Sequence, residues 1–159
     1  MTGRRFYVKK LLQMTDKNAI EDAVKFVSDG MEVIFPVEGD SMLPFIIGGK
    51  DSVVLTQPVK ILKRRVYLAW TEGGYYVIHR IEKIKGNRIK LMGDGNLKNG
   101  EYCNIEDIKA YVRFYVSKDG KRHYLYSLKR RILVRIWLFL KPLRRFILFI
   151  YKKFRTNED

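Results

Sequence analysis

Hydrophobic positions in the first part of the chain recur at helical spacing. Thr15 and Asp16 are typical of a helix start, and Gly30 ends the run that follows them. The apolar residues between them lie on one face of a helix: Ala19, Ile20, Ala23, Val24 and Val27. The pattern therefore predicts one amphipathic helix over residues 16–29.

After Gly30 the apolar residues form short runs that are separated by turn residues. Turn signals stand at Gly73–Gly74, Lys85–Asn87 and Asp119–Gly120. The predicted strands are Met31–Val37, Ser52–Thr56, Val66–Thr71, Tyr75–Ile84, Arg88–Met92, Tyr111–Val116 and His123–Tyr126. Many short strands joined by tight turns predict a mainly β fold, a coiled antiparallel β-sheet or barrel.

The last part of the chain, from Ser127 to Arg155, returns to a helical pattern. One predicted face is apolar and the other is basic, and Pro142 is expected to kink or split the helix. The apolar face comprises Ile132, Leu133, Ile136, Phe139, Leu140, Leu143, Phe146, Ile147 and Ile150; the basic face comprises Arg131, Arg135, Lys141, Arg145 and Lys152. We therefore divide the chain into an N-terminal helical segment (1–30), a β-rich domain (31–126) and a basic amphipathic tail (127–159).

Composition narrows the possible chemistry. The 159 residues are 47% hydrophobic, which is enough for a packed core. The single cysteine, Cys103, excludes a disulfide framework, and two histidines leave little room for a zinc site. We accordingly expect neither a metal nor an organic cofactor.

Charge points to an anionic partner. The formal net charge is +15, and residues 120–159 hold 12 of the 32 Lys and Arg residues. A basic amphipathic helix favours binding of residues 128–155 to an anionic membrane surface. Packing on the body, oligomerisation and nucleic-acid binding are the alternatives. Without a signal peptide or transmembrane run, we expect a cytoplasmic protein, peripheral at the inner membrane face.

Three short segments carry candidate chemistry. Ser41 lies between a Gly-Asp turn and Pro44, His79 lies on a predicted strand, and Asp94 lies in a Gly-Asp-Gly turn. A serine hydroxyl needs a nearby base to become a nucleophile, and a carboxylate can orient a histidine base. The alternative interpretation gives these residues structural roles only, as a turn serine, a half-buried strand histidine and a turn aspartate.

Other residues compete for these roles. Lys83 and Lys85 share strand parity with His79 if the strand is regular, so a Ser–Lys mechanism stays open. Asp40 competes with Asp94 as the orienting acid. His123 is expected to be a solvated hairpin residue, and Cys103 lacks a setting that would activate its thiol.

The same segments resemble the superfamily of type I signal peptidases and LexA-type self-cleaving repressors. Gly39–Pro44 matches that family's nucleophile box, His79–Ile81 looks like its general-base box, and Gly93–Asn96 looks like its Gly-Asp-x-Asn box. The resemblance covers residues 31–116 and is to the branch with a histidine base. It implies a serine endopeptidase that cleaves a leader or signal-like peptide, with Ser41 as nucleophile, His79 as base and Asp94 as orienting acid.

This chain departs from the family pattern at two positions of the nucleophile box. Phe45 stands where the family often has threonine, and Gly39 stands where many signal peptidases have a serine that helps the oxyanion hole. Residues 1–30 predict one helix, which is less than the DNA-binding module of a LexA-type repressor. Two other functions stay open: a degenerate peptidase that only binds peptides, and a LexA-like regulatory or nucleic-acid-binding protein.

Overall fold

A computed structural model describes residues 5–6 and 17–155 of the chain. Its strands are β1 (Arg5–Phe6), β2 (Glu32–Pro36), β3 (Ser52–Thr56), β4 (Val66–Trp70), β5 (Tyr76–Lys85), β6 (Arg88–Met92), β7 (Glu101–Asn104), β8 (Ile108–Val116) and β9 (Arg122–Tyr124). Its helices are α1 (Lys17–Ser28), α2 (Leu128–Phe139) and α3 (Arg144–Arg155), with 3₁₀ turns at Ile105–Asp107 and Lys141–Leu143. The mainly β prediction is confirmed, and α1 lies where the helical spacing predicted it.

All nine strands belong to one sheet. The order is β1-β2-β3-β8-β4-β5-β6-β7, and β9 pairs with β8 beside this path. Every pairing is antiparallel except that between β1 and β2. Among the described strands β1 and β7 do not pair with each other, so this is an open sheet and not a closed barrel.

Two apolar clusters cover the two faces of the coiled sheet. Helix α1 buries Ile20, Ala23 and Val27 in the larger cluster, against residues of β2, β3, β4 and β8. The smaller cluster lies among β4 to β8 and includes Tyr67 and Ile81, both fully buried. Of the candidate residues, His79 lies within β5, Asp94 follows the end of β6, and Ser41 lies in the loop between β2 and β3.

The C-terminal tail forms a helical hairpin that packs on the body. Pro142 lies in the turn between α2 and α3, as the sequence predicted. Val134, Trp137 and Leu148 are buried, and Leu148 and Trp137 pack with Leu43 in a third apolar cluster. No helix in the described ranges combines the length and apolar character that crossing a bilayer requires.

The apolar face predicted for the tail is not the face that packs on the body. Eight of its nine residues are exposed: Ile132, Leu133, Ile136, Phe139, Leu143, Phe146, Ile147 and Ile150. The stripe through Val134, Trp137 and Leu148 makes the contact instead. The tail therefore docks on the body and still presents a wide apolar surface.

Candidate active site

Ser41 lies in the long loop that connects β2 to β3. The base of this loop is closed by two backbone hydrogen bonds, from Val37 N–H to the Asp51 carbonyl (3.1 Å) and from Gly49 N–H to the Val37 carbonyl (2.7 Å). A side chain at Gly48 would come within 1.9 Å of the carbonyl oxygen of Gly39, so the loop can close only with glycine there. The loop around Ser41 is thus a fixed structure.

The Ser41 loop lies against the Gly93–Asn96 turn. The amide of Gly95 donates a hydrogen bond to the Ser41 carbonyl at 2.8 Å. A Cβ atom on Gly93 would come within 2.4 Å of that same carbonyl oxygen. The backbone of Ser41 therefore occupies the space that a side chain at position 93 would need.

Strand register puts His79 opposite this space. In the β5–β6 pair Ile81 faces Leu91 and Arg80 faces Met92, so the next position along brings His79 opposite Gly93. Residues that face each other across antiparallel strands project to the same side, about 5 Å apart. The Ser41 backbone therefore lies over the position that faces His79. The Ser41 backbone and the His79 side chain therefore lie on the same side of the sheet at this point.

The carboxylate beside His79 belongs to Glu101. Its Oε2 lies 2.8 Å from His79 Nδ1, and the two side chains are 17% and 6% exposed. Burial raises the pKa of Glu101, but the hydrogen bond and charge of His79 outweigh this and hold that pKa below its usual value. An ionised Glu101 accepts a hydrogen bond from Nδ1–H of His79, which leaves the lone pair on Nε2.

Asp94 does not contact His79, which corrects the expectation that it would orient the base. Arg80 Nε and Nη2 donate hydrogen bonds to its two carboxylate oxygens at 2.8 and 2.7 Å. Asp94 follows Met92 by two positions, so it projects to the side of β5 that carries Arg80. Burial lowers the pKa of Arg80, but the charge and hydrogen bonds of Asp94 raise it above its usual value.

Lys83 and Lys85 are exposed. A β-bulge between Ile81 and Lys83 shifts the alternation of β5, so that Ile84 packs in the smaller cluster instead of a lysine. The parity that would make these lysines candidate bases is therefore wrong. Asp40, the other competing acid, lies 3.0 Å from Lys152 of α3.

A serine–histidine contact occurs in the β8–β9 hairpin. Ser117 Oγ lies 2.9 Å from Nε2 of His123, which stacks on Tyr115. The carboxylate of Asp119 there accepts a hydrogen bond from Ser117 and not from the imidazole. These contacts stabilise a tight exposed turn and leave His123 without an orienting carboxylate. Ser117 and His123 therefore provide a control for Ser41 and His79.

Cys103 is an inert thiol. It is fully buried in the smaller cluster, and burial raises its pKa to about 11. At neutral pH it is therefore protonated and inaccessible, in line with the expectation that it is not a nucleophile.

Glu101 and its strand, β7, were not predicted from the sequence. The strand has only Tyr102 and Cys103 as apolar residues, too few to mark a period of two. One sequence feature could have indicated Glu101: it is two residues from Cys103, so in a strand both project to the same side, which is that of the smaller cluster.

Within the described residues, no group of three or more His, Cys, Asp and Glu side chains is arranged to hold a metal ion.

Comparison with known proteins identifies no family. No protein-family model matches the chain, and a search of curated proteins finds no significant match.

Proposed function

We propose that the protein is a serine endopeptidase in which Ser41 is the nucleophile, His79 the general base and Glu101 the orienting carboxylate. One observation carries the proposal: Glu101 binds Nδ1 of His79, while the Ser41 loop covers the position that faces the histidine. The three segments that resemble signal peptidases support it, with Glu101 taking the part first expected of Asp94.

The proposed reaction is acyl transfer followed by hydrolysis. His79 Nε2 takes the proton of the Ser41 hydroxyl as Oγ attacks the scissile carbonyl carbon. The Ser41 amide stabilises the oxyanion, and Glu101 stabilises the imidazolium that forms. His79 then gives its proton to the leaving amine. In the second step the imidazole takes a proton from the attacking water and returns it to Ser41 Oγ as the acyl group leaves as a carboxylic acid.

The proposed substrate is an extended leader-like peptide with small residues before the cut. An open sheet keeps strand edges whose backbone groups can pair with such a peptide. Space is also available at the nucleophile loop, because a Cβ atom on Gly39 would meet no atom within 4 Å. A catalytically degenerate peptide-binding module would share these features but would lack turnover.

Peptide cleavage tests the proposal, with the second serine as the control. Wild type, Ser41→Ala and Ser117→Ala are incubated with a library of leader-like peptides, and the products are identified by mass spectrometry. We expect wild type and Ser117→Ala to cleave the same peptides, and Ser41→Ala to lose at least ~10⁴-fold in rate. Full activity of Ser41→Ala contradicts the proposal, and binding without cleavage by any variant supports the degenerate module.

We further propose that the tail holds the protein on an anionic membrane surface, at its cytoplasmic face. Phe139, Phe146, Phe149 and Phe154 are each at least 67% exposed, and residues 128–155 contain basic residues but no acidic ones. Exposed apolar side chains among cations match the interface of a bilayer with anionic headgroups.

Vesicle sedimentation tests the membrane proposal. Replacing Phe146 and Phe149 by serine should reduce binding to vesicles that contain phosphatidylserine, because both residues are 67% exposed and lie on the apolar surface of the tail. Phe26→Ser on α1 is the control, since its ring is also exposed but lies outside the tail. Equal binding by the double variant and wild type contradicts the proposal.

A further inference from the structure

A basic cleft lies between the body and the helical hairpin. It consists of two adjoining cavities of about 170 and 300 Å³ that share Lys63, Arg64 and Arg80 in their walls. Helix α2 contributes Arg131 and Arg135 to the smaller cavity. Arg80, which projects from β5 to the side opposite His79, lines both cavities.

Positive charge in this cleft is not balanced by its own acids. The two cavities have eight basic residues and only two acidic residues in their walls. Both acids are already paired: Asp94 with Arg80, and Glu82 with Lys90 and Lys141, each at 2.7 Å. The remaining cations therefore create a strongly positive potential that favours an anion.

One of the remaining cations is buried. The Arg144 side chain is at the wall of the larger cavity and the residue is 2% exposed. Its Nε donates to the Trp137 carbonyl at 2.9 Å, and its guanidinium lies 5.3 Å from the centre of the Trp137 ring. Its Nη2 is buried and has no hydrogen-bond partner among the described residues. Burial lowers the pKa of Arg144, and the nearby charges of Asp94 and Glu82 offset this only in part. A further anion at this wall would therefore stabilise the buried cation.

The opposite wall is fixed by an uncommon backbone conformation. Arg64 has a φ of +67°, which non-glycine residues rarely adopt. Its amide donates to the Ile81 carbonyl at 2.9 Å, and its own carbonyl accepts from Arg80 Nη1 at 2.8 Å. These bonds hold the Lys63–Arg65 segment at the cleft although the conformation is unfavourable.

We infer that this cleft is a binding site for a phosphate group, carried by an anionic lipid headgroup or by a soluble phosphate compound. Guanidinium groups match phosphate oxygens in charge and geometry, and several of them line one cavity here. The cleft lies beside helices that expose apolar side chains, which suits a headgroup whose chains lie along the hairpin. The inference does not depend on the catalytic proposal.

Calorimetric titration tests the site with two probes, inorganic phosphate and dihexanoyl phosphatidic acid, a soluble short-chain lipid. Arg64→Asn removes one cation and keeps a residue that tolerates positive φ. Arg144→Met removes the buried cation and keeps apolar bulk. Each should weaken binding by ~10-fold or more, as expected for a lost charged hydrogen bond. The control is Arg145→Met, which removes an exposed charge from the same helix and should change affinity less than ~3-fold.

The two probes distinguish the source of the phosphate. Equal affinity for both supports a soluble phosphate compound, and much tighter binding of the lipid supports a headgroup. Failure of wild type to bind either probe overturns the inference, and so does an equal loss of affinity in Arg145→Met. If Arg144→Met does not fold, as judged by circular dichroism, Arg64→Asn decides the outcome, because that side chain is exposed.

Discussion

The two sides of strand β5 carry two basic side chains that differ in how each contacts its carboxylate. His79 and Arg80 are adjacent in sequence and project to opposite sides, and each meets one carboxylate. The Arg80–Asp94 pair is bidentate, with side chains only 5% and 1% exposed. The His79–Glu101 pair has a single contact, and Glu101 is 17% exposed.

This difference indicates different roles. The buried bidentate pair fixes the turn that holds the Ser41 loop. The main-chain carbonyl of Asp94 also accepts a hydrogen bond from Trp137 Nε1 at 2.7 Å, which ties the helical hairpin to the same turn. A histidine–carboxylate pair with one imidazole nitrogen left over can take up and release a proton. We therefore assign a structural role to Asp94 and a positioning role to Glu101.

Replacing Asp94 by asparagine should have the largest effect on folding. The change leaves the buried Arg80 charge without a counter-ion, and breaking a buried pair in this way costs ~3–5 kcal/mol. Urea unfolding followed by circular dichroism gives the free energy of unfolding. A loss below ~1 kcal/mol would contradict a structural role, because that is the range of exposed pairs.

Replacing Glu101 by glutamine should affect catalysis more than folding. The imidazole keeps a hydrogen-bond partner but loses the charge that stabilises its protonated form, so we expect kcat to fall by ~10²-fold or more. Initial rates on a cleaved peptide measure this, with unfolding checked in parallel. His123→Gln is the matched control and should leave kcat within ~2-fold of wild type.

The pH dependence of stability tests whether the charge of Glu101 stabilises the fold. Its pKa in the folded protein is lowered, on balance, by His79. A carboxylate of this kind stabilises the fold above its unfolded pKa of ~4.3 and loses that contribution as the pH falls through the lower folded pKa. The difference in stability between wild type and Glu101→Gln should therefore shrink below pH ~4. A difference that stays constant to pH ~3 would contradict this account.

The sequence predicted regular elements better than it predicted contacts between them. Helix α1 and strands such as Ser52–Thr56 have strong local periodicity, which is independent of the rest of the chain. The pairing of Glu101 with His79 depends on β6 lying between their strands, and no local pattern encodes that arrangement. The bulge after Ile81 likewise arises from strand pairing, which is why Lys83 fell on an unexpected side.

In the tail, too, the helices could be predicted from the sequence but their contacts with the body could not. Its two helices and the break at Pro142 follow from local spacing and from the missing amide of proline. The stripe that packs on the body was not predictable, because it depends on Trp137 meeting the Asp94 turn and the Leu43 loop.

Trapping an acyl-enzyme tests the central claim most directly. Wild type, Ser41→Ala and His79→Gln are mixed with an activated ester of a small-residue peptide, quenched in acid and digested, and the acyl group is located by tandem mass spectrometry. The account predicts an acyl group on Ser41 in wild type, none at position 41 in Ser41→Ala, and strongly reduced acylation of Ser41 in His79→Gln. Turnover of the ester with the acyl group on another residue, or equal acylation of Ser41 without His79, would contradict it.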